Sequence, residues 1–269
     1  MARTLSGIFE MRKFLFFPIL FVGLLWGAEA RTEPTHEITV SAAVSLRNAF
    51  QDIGKIFQQK KPRARLLFNF GASGDLARQI EGGAPVDVFA SASSKEMDDL
   101  DRRDMVVKGT RKDFAGNKIV LITPVRSAIH LISFKDLKRE GIKRIAVGNP
   151  KTVPAGRYAV EVLSYFNLSE AIKDRLIFAE NVRQVLDYVA RGEVDAGIVY
   201  STDASTRATE VKIVADAPKQ SHREVVYPVA VVKGSKNEGL GRAFISVVTS
   251  KEGKKILQRY GFGISDEVK

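Results

Sequence analysis

The stretch ITVSAAVSLRNAFQDI, residues 38–53, changes its period halfway along. Ile38, Val40 and the run Ala42-Ala43-Val44 read as a short buried strand, whereas Leu46, Ala49, Phe50 and Ile53 recur at helical spacing, continued by Ile56 and Phe57. One small polar residue, Ser45, separates the two periods. A strand that runs directly into an amphipathic helix is the first half of a strand–helix–strand unit, and the same switch repeats along the chain. Apolar runs predict strands at 38–42, 65–70, 86–90, 119–123, 144–147, 176–179, 196–200, 211–215 and 226–232. Helical patterns predict helices at 46–59, 75–80, 95–101, 134–138, 156–166, 182–190 and 240–260, the last with a break expected at Gly253. Such alternation gives an α/β protein with parallel sheets covered by helices.

No Pro/Gly/Ser-rich linker divides the chain. Pro228 lies inside the run 226–232 and cannot donate to a central ladder, so that strand is expected at an edge or as a crossover. The pattern suits two lobes, each a mostly parallel sheet flanked by helices, joined by two crossing strands. The lobes are expected at 31–120 plus 226–269, and at 121–225.

The first 30 residues read as a removable signal peptide. Met11-Arg12-Lys13 supplies the basic start, 14–26 the apolar segment, and Ala28-Glu29-Ala30 a small-x-small cleavage site. Met11 is a better start than Met1, because the ten residues before it add nothing to the signal. The remaining chain contains no apolar run long enough for a membrane span. It also contains no cysteine, which excludes a disulfide framework, a thiolate metal site, a cysteine nucleophile and a lipid-anchored secretory protein. A free periplasmic monomer is the expectation. Without residues 1–30 the formal charge of +11 falls to +10. The basic residues are dispersed and the protein is exported, so nucleic acid is not the expected partner. A positive field would instead raise the on-rate of a small anion.

Ligands of open α/β sheets bind beyond the carboxyl ends of the strands. Five loops there share one chemistry. Ser45 follows the first strand, Ser73 lies in NFGASGDLARQI (69–80), Ala155 in VGNPKTVPAGRYAVEVL (147–163), Val182 in FAENVRQVL (178–186), and Tyr200 opens YSTDAS (200–205). Hydroxyls and first-turn amides are hydrogen-bond donors, and a helix is positive at that end. Taken singly, each loop has an ordinary structural explanation. Ser45 alone reads as an N-cap. Together they form a set of neutral donors suited to a fully deprotonated anion.

Catalysis finds little support. Gly71-Ala72-Ser73-Gly74 is near a nucleophile elbow but has Asp75 where that motif needs glycine. An exported hydrolase using Ser73 would need His130 or His222 as its base, and neither lies in a promising loop. No metal-ligand spacing, paired carboxylates or phosphate loop occurs.

In its segments ITVSAAVSLRNAFQDI, FNFGASGDLARQIEGGAPVDVFASAS, AVGNPKTVPAGRYAVEVL, AENVRQVLDYVARGEVDAGIVYSTDA, YPVAVVKGS and ILQRYGFGI, the chain resembles the periplasmic molybdate-binding proteins of ABC molybdate transporters. The resemblance implies the two-lobed type II periplasmic binding-protein fold and a receptor, not an enzyme, that hands its anion to a membrane permease. It implies molybdate or tungstate as ligand, with no cofactor and no direct cation ligands. By motif, the implied oxyanion-binding groups are the hydroxyls of Ser45, Ser73 and Tyr200 and the amides of Ala155 and Val182. Sulfate or phosphate is the alternative within the class. Asp75 and Arg157 depart from the family pattern, and Arg157 is expected to offset repulsion by Asp75.

Overall fold

A computed structural model describes residues 36–264, so the signal-peptide expectation lies outside the described residues. The chain forms β1 His36–Ala43, α1 Arg47–Lys60, β2 Ala64–Gly71, α2 Ser73–Glu81, β3 Val88–Ala90, α3 Ser94–Arg102, β4 Lys112–Gly116 and β5 Ile119–Pro124. It continues through β6 Ile145–Gly148, α4 Pro154–Tyr165, β7 Leu176–Ala179, α5 Val182–Ala190, β8 Ala196–Tyr200, α6 Ser201–Ser205 and β9 Val211–Asp216. β10 Val226–Val231, α7 Glu238–Val248, α8 Lys251–Arg259 and β11 Gly263–Ile264 complete it.

Two sheets define two lobes. The first has the order β11-β4-β10-β3-β1-β2 and the second β7-β6-β8-β5-β9. Each contains a parallel core, β2-β1-β3 or β7-β6-β8. Each is extended by antiparallel strands, β10, β4 and β11 in the first sheet and β5 and β9 in the second. The chain passes between sheets at 117–118 and again through 217–225. β10 and β5 run against their neighbours because each enters its sheet from the seam.

Burial explains the sequence pattern. β1 and β5 lie inside their sheets and are mostly buried, β5 as a near-continuous apolar run and β1 with Thr39 and Ser41 between its apolar residues, whereas the edge strands β2 and β7 are only partly covered. α1 buries Ala49, Phe50, Ile53 and Phe57 on one face. Phe50 and Phe57 both meet Phe244 of α7 edge-on at 5.6 Å between centroids. The second lobe packs Val147, Val162, Val185 and Ile198, all fully buried.

Two expectations need correction. β10 is not an edge strand, since it pairs with β3 on one side and β4 on the other; the crossover alternative holds, because the chain returns to the first sheet through 217–225 directly into it. A register shift between Tyr227 and Pro228 absorbs the missing donor, and the Pro228 carbonyl accepts the Ser91 amide at 3.0 Å. The final helix breaks at Thr249–Ser250, not at Gly253, because the Ser250 side chain caps α8 by accepting the Gly253 amide.

Candidate functional site

β1 ends at Ala43, and one 3-10 turn, Val44–Leu46, leads into α1. The cap position of α1 is Leu46, without a side-chain cap, so Ser45 does not perform the capping role that it suggests when read alone. Its buried Oγ lies 3.1 Å from the hydroxyl of Tyr227. Asn117 Nδ2 donates to that same tyrosine oxygen at 3.2 Å and to Thr202 Oγ1 at 2.9 Å. Asn117 Oδ1 accepts from the Lys118 amide at 2.9 Å and from Ser201 Oγ at 3.1 Å, which fixes the orientation of the side-chain amide. Tyr227 accepts from Asn117, and in its contact with Ser45 either hydroxyl can be the donor; when Tyr227 gives its proton to Ser45 Oγ, the serine proton is left to donate elsewhere. Burial pushes the Tyr227 hydroxyl far above the usual phenol range, so this proton stays in place.

Ser73 is the first residue of α2 and fully buried, and its Oγ accepts the Ala92 amide at 3.0 Å. Tyr200 ends β8 in the other sheet, and its hydroxyl donates to the Ala92 carbonyl at 3.1 Å. Hydroxyls from both sheets thus meet at one residue, in the loop after β3. Burial, and then the neighbouring Tyr227 and Tyr158, raise the Tyr200 hydroxyl well above its ordinary range and keep it a donor.

Ala155 and Val182 lie in the first turns of α4 and α5, whose amides have no intrahelical acceptor. Neither amide has another hydrogen-bond partner among the described residues. Pro154 starts α4, and no side chain caps it. Gly156 lets this helix end press on β6, since a Cβ there would stand 2.0 Å from the Gly148 carbonyl oxygen. Asn181 caps α5 through the Gln184 amide at 3.0 Å and leaves Val182 free.

Further bonds tie the five loops together. The Gly74 amide donates to the Thr152 carbonyl at 2.9 Å, joining the Ser73 turn to the approach to Ala155. Arg183 Nη2 donates to Asn48 Oδ1 at 3.0 Å, joining the start of α5 to the helix that follows Ser45. A groove of about 480 Å³ beside this contact is lined by Val44, Arg47, Asn181 and Arg183. The Tyr200 ring lies 5.8 Å from Tyr227 and 6.5 Å from Tyr158. The five loops selected from the sequence are thus tied to one another along one seam.

Asp75 points away, half-exposed and ion-paired with Arg78. Arg157 does not offset it: its Nη2 donates to Glu96 Oε1 at 2.6 Å and to Ser93 Oγ at 3.2 Å. Asp203 of α6 is fully buried against Arg183 Nε, and burial, only partly opposed by the arginine, raises its carboxyl to about 6. Ser73 has no imidazole partner among the described residues, and His222 Nδ1 instead faces the Arg223 carbonyl at 2.7 Å. Sequence reasoning missed Asn117, Tyr227 and Ala92. Tyr227 was visible only as a residue of the YPVAVV strand.

The profile of the bacterial extracellular solute-binding proteins matches residues 38–263. The molybdate-binding protein ModA of Haemophilus influenzae is 43% identical over 231 residues, covering 84% of this chain and 89% of the relative. That of Escherichia coli is 40% identical over 233 residues, covering 85% and 89%. The solved periplasmic molybdate-binding protein of Azotobacter vinelandii superposes with a TM-score of 0.76 at 24% identity, covering 84% of this chain and 98% of that one, and shares the fold.

Proposed function

The chain belongs to the bacterial extracellular solute-binding proteins, and from that premise we propose that it is an exported receptor for molybdate, and for tungstate, that delivers the anion to an ABC-type permease. The observation that carries this reading is the meeting of Ser73 and Tyr200, from opposite lobes, on the two polar groups of Ala92. A ligand held there touches both lobes, which we take to join at the crossings 117–118 and 217–225. Identities of 40–43% to proteins named for molybdate support the choice of anion.

Recognition is donation. The Ser45 proton, freed by Tyr227, the Ser73 and Tyr200 protons and the Ala155 and Val182 amides converge on the anion. The Ser73 proton is free because its oxygen is the acceptor in its bond to Ala92. Tyr200 exchanges the Ala92 carbonyl for an anion oxygen. Each charge-assisted bond contributes roughly 1.5–3 kcal/mol, so neutral donors suffice to hold a dianion. A protonated anion needs an acceptor, which this donor set does not supply. Cage size then separates molybdate from sulfate. The receptor works in the periplasm as a monomer, without a cofactor or direct cation ligand, and makes no covalent change.

Calorimetry with sodium molybdate, tungstate and sulfate tests this. Tight, similar binding of the first two and little of sulfate is expected. Failure of both large oxyanions to bind, or a preference for sulfate, overturns it.

A further inference from the structure

Glu96 stands at the third position of α3, three residues after Ser93, in a Ser-x-x-Glu sequence. Such a glutamate ordinarily reaches back to the amide of its own cap residue. Here the Ser93 amide is taken by Ser91 Oγ at 3.2 Å, and the Ser93 oxygen accepts the Lys95 amide at 3.2 Å. Glu96 is thereby released from its local duty. Its Oε1 accepts from Arg157 Nη2 at 2.6 Å, and the same nitrogen touches Ser93 Oγ. Arg157 lies in α4 of the second lobe and Glu96 in α3 of the first. The pair is deeply buried, with side-chain exposures of 15% and 5%. The other carboxylate oxygen, Glu96 Oε2, is buried with no partner.

These facts fit only a contact that belongs to the joined lobes. Separating them hydrates both charges and relieves Oε2. Joining them desolvates both, and one bidentate opportunity is left unused. A buried pair of this kind gives little net stability, but removing one member leaves the other charge stranded.

We infer that Arg157 and Glu96 form an interlobe clasp whose residues position the lobes around the anion and set how long it is retained, without touching it. This rests on the receptor reading for the anion's identity, whereas the clasp rests on the Arg157–Glu96 contact alone. Single replacements, Glu96→Gln or Arg157→Ala, strand one buried partner and favour opening. The double replacement Glu96→Met with Arg157→Met removes both charges and keeps apolar bulk, so it restores joining.

The chain has no cysteine, so Lys61→Cys with Glu140→Cys gives one labelled pair, on exposed positions of the two lobes, for energy-transfer measurements. In ligand-free protein, each single replacement is expected to enlarge the long-distance population relative to wild type, and the double to return it. With molybdate, the singles should release the anion about 10- to 100-fold faster, with association changed by less than about threefold. The double should release it no faster than wild type. Unchanged distance distributions in both singles, or a double that opens further than either, overturn the clasp. A wild type that joins its lobes but ignores molybdate overturns the receptor reading alone, since the ligand-free distributions still decide the clasp. Losses of thermal stability without a change in distance or release assign the pair a merely structural role and also overturn it.

Discussion

Replacing Tyr227 with phenylalanine tests how Ser45 comes to be a donor. The change deletes one oxygen from a fully buried ring and keeps its apolar packing against Phe262 and Phe114. It removes the 3.1 Å contact to Ser45 and the 3.2 Å bond from Asn117. One N–H of Asn117 Nδ2 keeps Thr202 Oγ1 at 2.9 Å, while the other loses its partner at this half-buried position. Stability should fall by about 1–2 kcal/mol for two neutral bonds. Affinity falls for a different reason: the Ser45 proton loses its fixed direction. Reorienting it costs about 0.5–1.5 kcal/mol, or roughly a 2- to 12-fold rise in Kd. Ser45→Ala deletes the charge-assisted bond itself, worth about 1.5–3 kcal/mol, or roughly 10- to 150-fold. Because Tyr227 acts through Ser45, the double variant should bind molybdate like Ser45→Ala within about 0.5 kcal/mol. Calorimetric titration of the four proteins closes the cycle. Independent, additive losses, or a Tyr227→Phe protein with wild-type affinity, would refute the relay.

Ser73→Ala and Tyr200→Phe should each weaken molybdate binding by about 1–3 kcal/mol in the same titration, and wild-type affinity in both would move the site elsewhere. Gly74→Ala should impair binding while leaving the melting temperature nearly unchanged. Its Cβ would stand 2.7 Å from the Thr152 carbonyl oxygen across the seam, and alanine is the better helix former in α2. Asp203 should give a pH signature of its own. Its carboxyl is raised to about 6 from 3.8, so its folded form favours the proton, and its contribution to stability is lost as pH rises through that window. Asp52, Asp99 and Asp136 are lowered by their hydrogen-bonding partners and act oppositely, gaining as pH rises toward the ordinary carboxylate range. Asp203→Asn should therefore gain melting temperature relative to wild type between about pH 4 and 6.5. A constant difference across that range would show that the Arg183 pairing cancels the burial.

Much of this molecule was legible as period and punctuation. The bounds predicted for β7, α5 and β8 coincide with those observed, because each is a compact run with clear ends such as Asn181. β4 was missed because Lys-Asp-Phe-Ala-Gly carries only a two-residue apolar signal before its glycine. Pro228 marked the crossover but also suggested an edge, because sequence shows the missing donor and not the register shift that accommodates it. The donor loops were visible since each lies beside its own strand end. Asn117, Tyr227 and Ala92 were not, because their partners lie between 19 and 182 residues away and only the fold creates the contacts. The same holds for Arg157, which sequence set against the repulsion by Asp75 but to which the fold gives Glu96.

The three phenols at the seam have an optical consequence. The sole tryptophan, Trp26, lies outside the described residues and within the segment read as a signal peptide, while Tyr158, Tyr200 and Tyr227 are three of only six tyrosines. Their rings meet in succession where the sheets meet, Tyr158 edge-on to Tyr200 and Tyr200 tilted against Tyr227. Near-ultraviolet absorption and circular dichroism of the processed chain therefore arise mainly from phenylalanine and tyrosine, with half of the tyrosine chromophores sitting at the seam. With residues 1–30 removed, as the sequence reading expects, the protein carries its own unlabelled spectroscopic reporter of lobe movement, undiluted by indole.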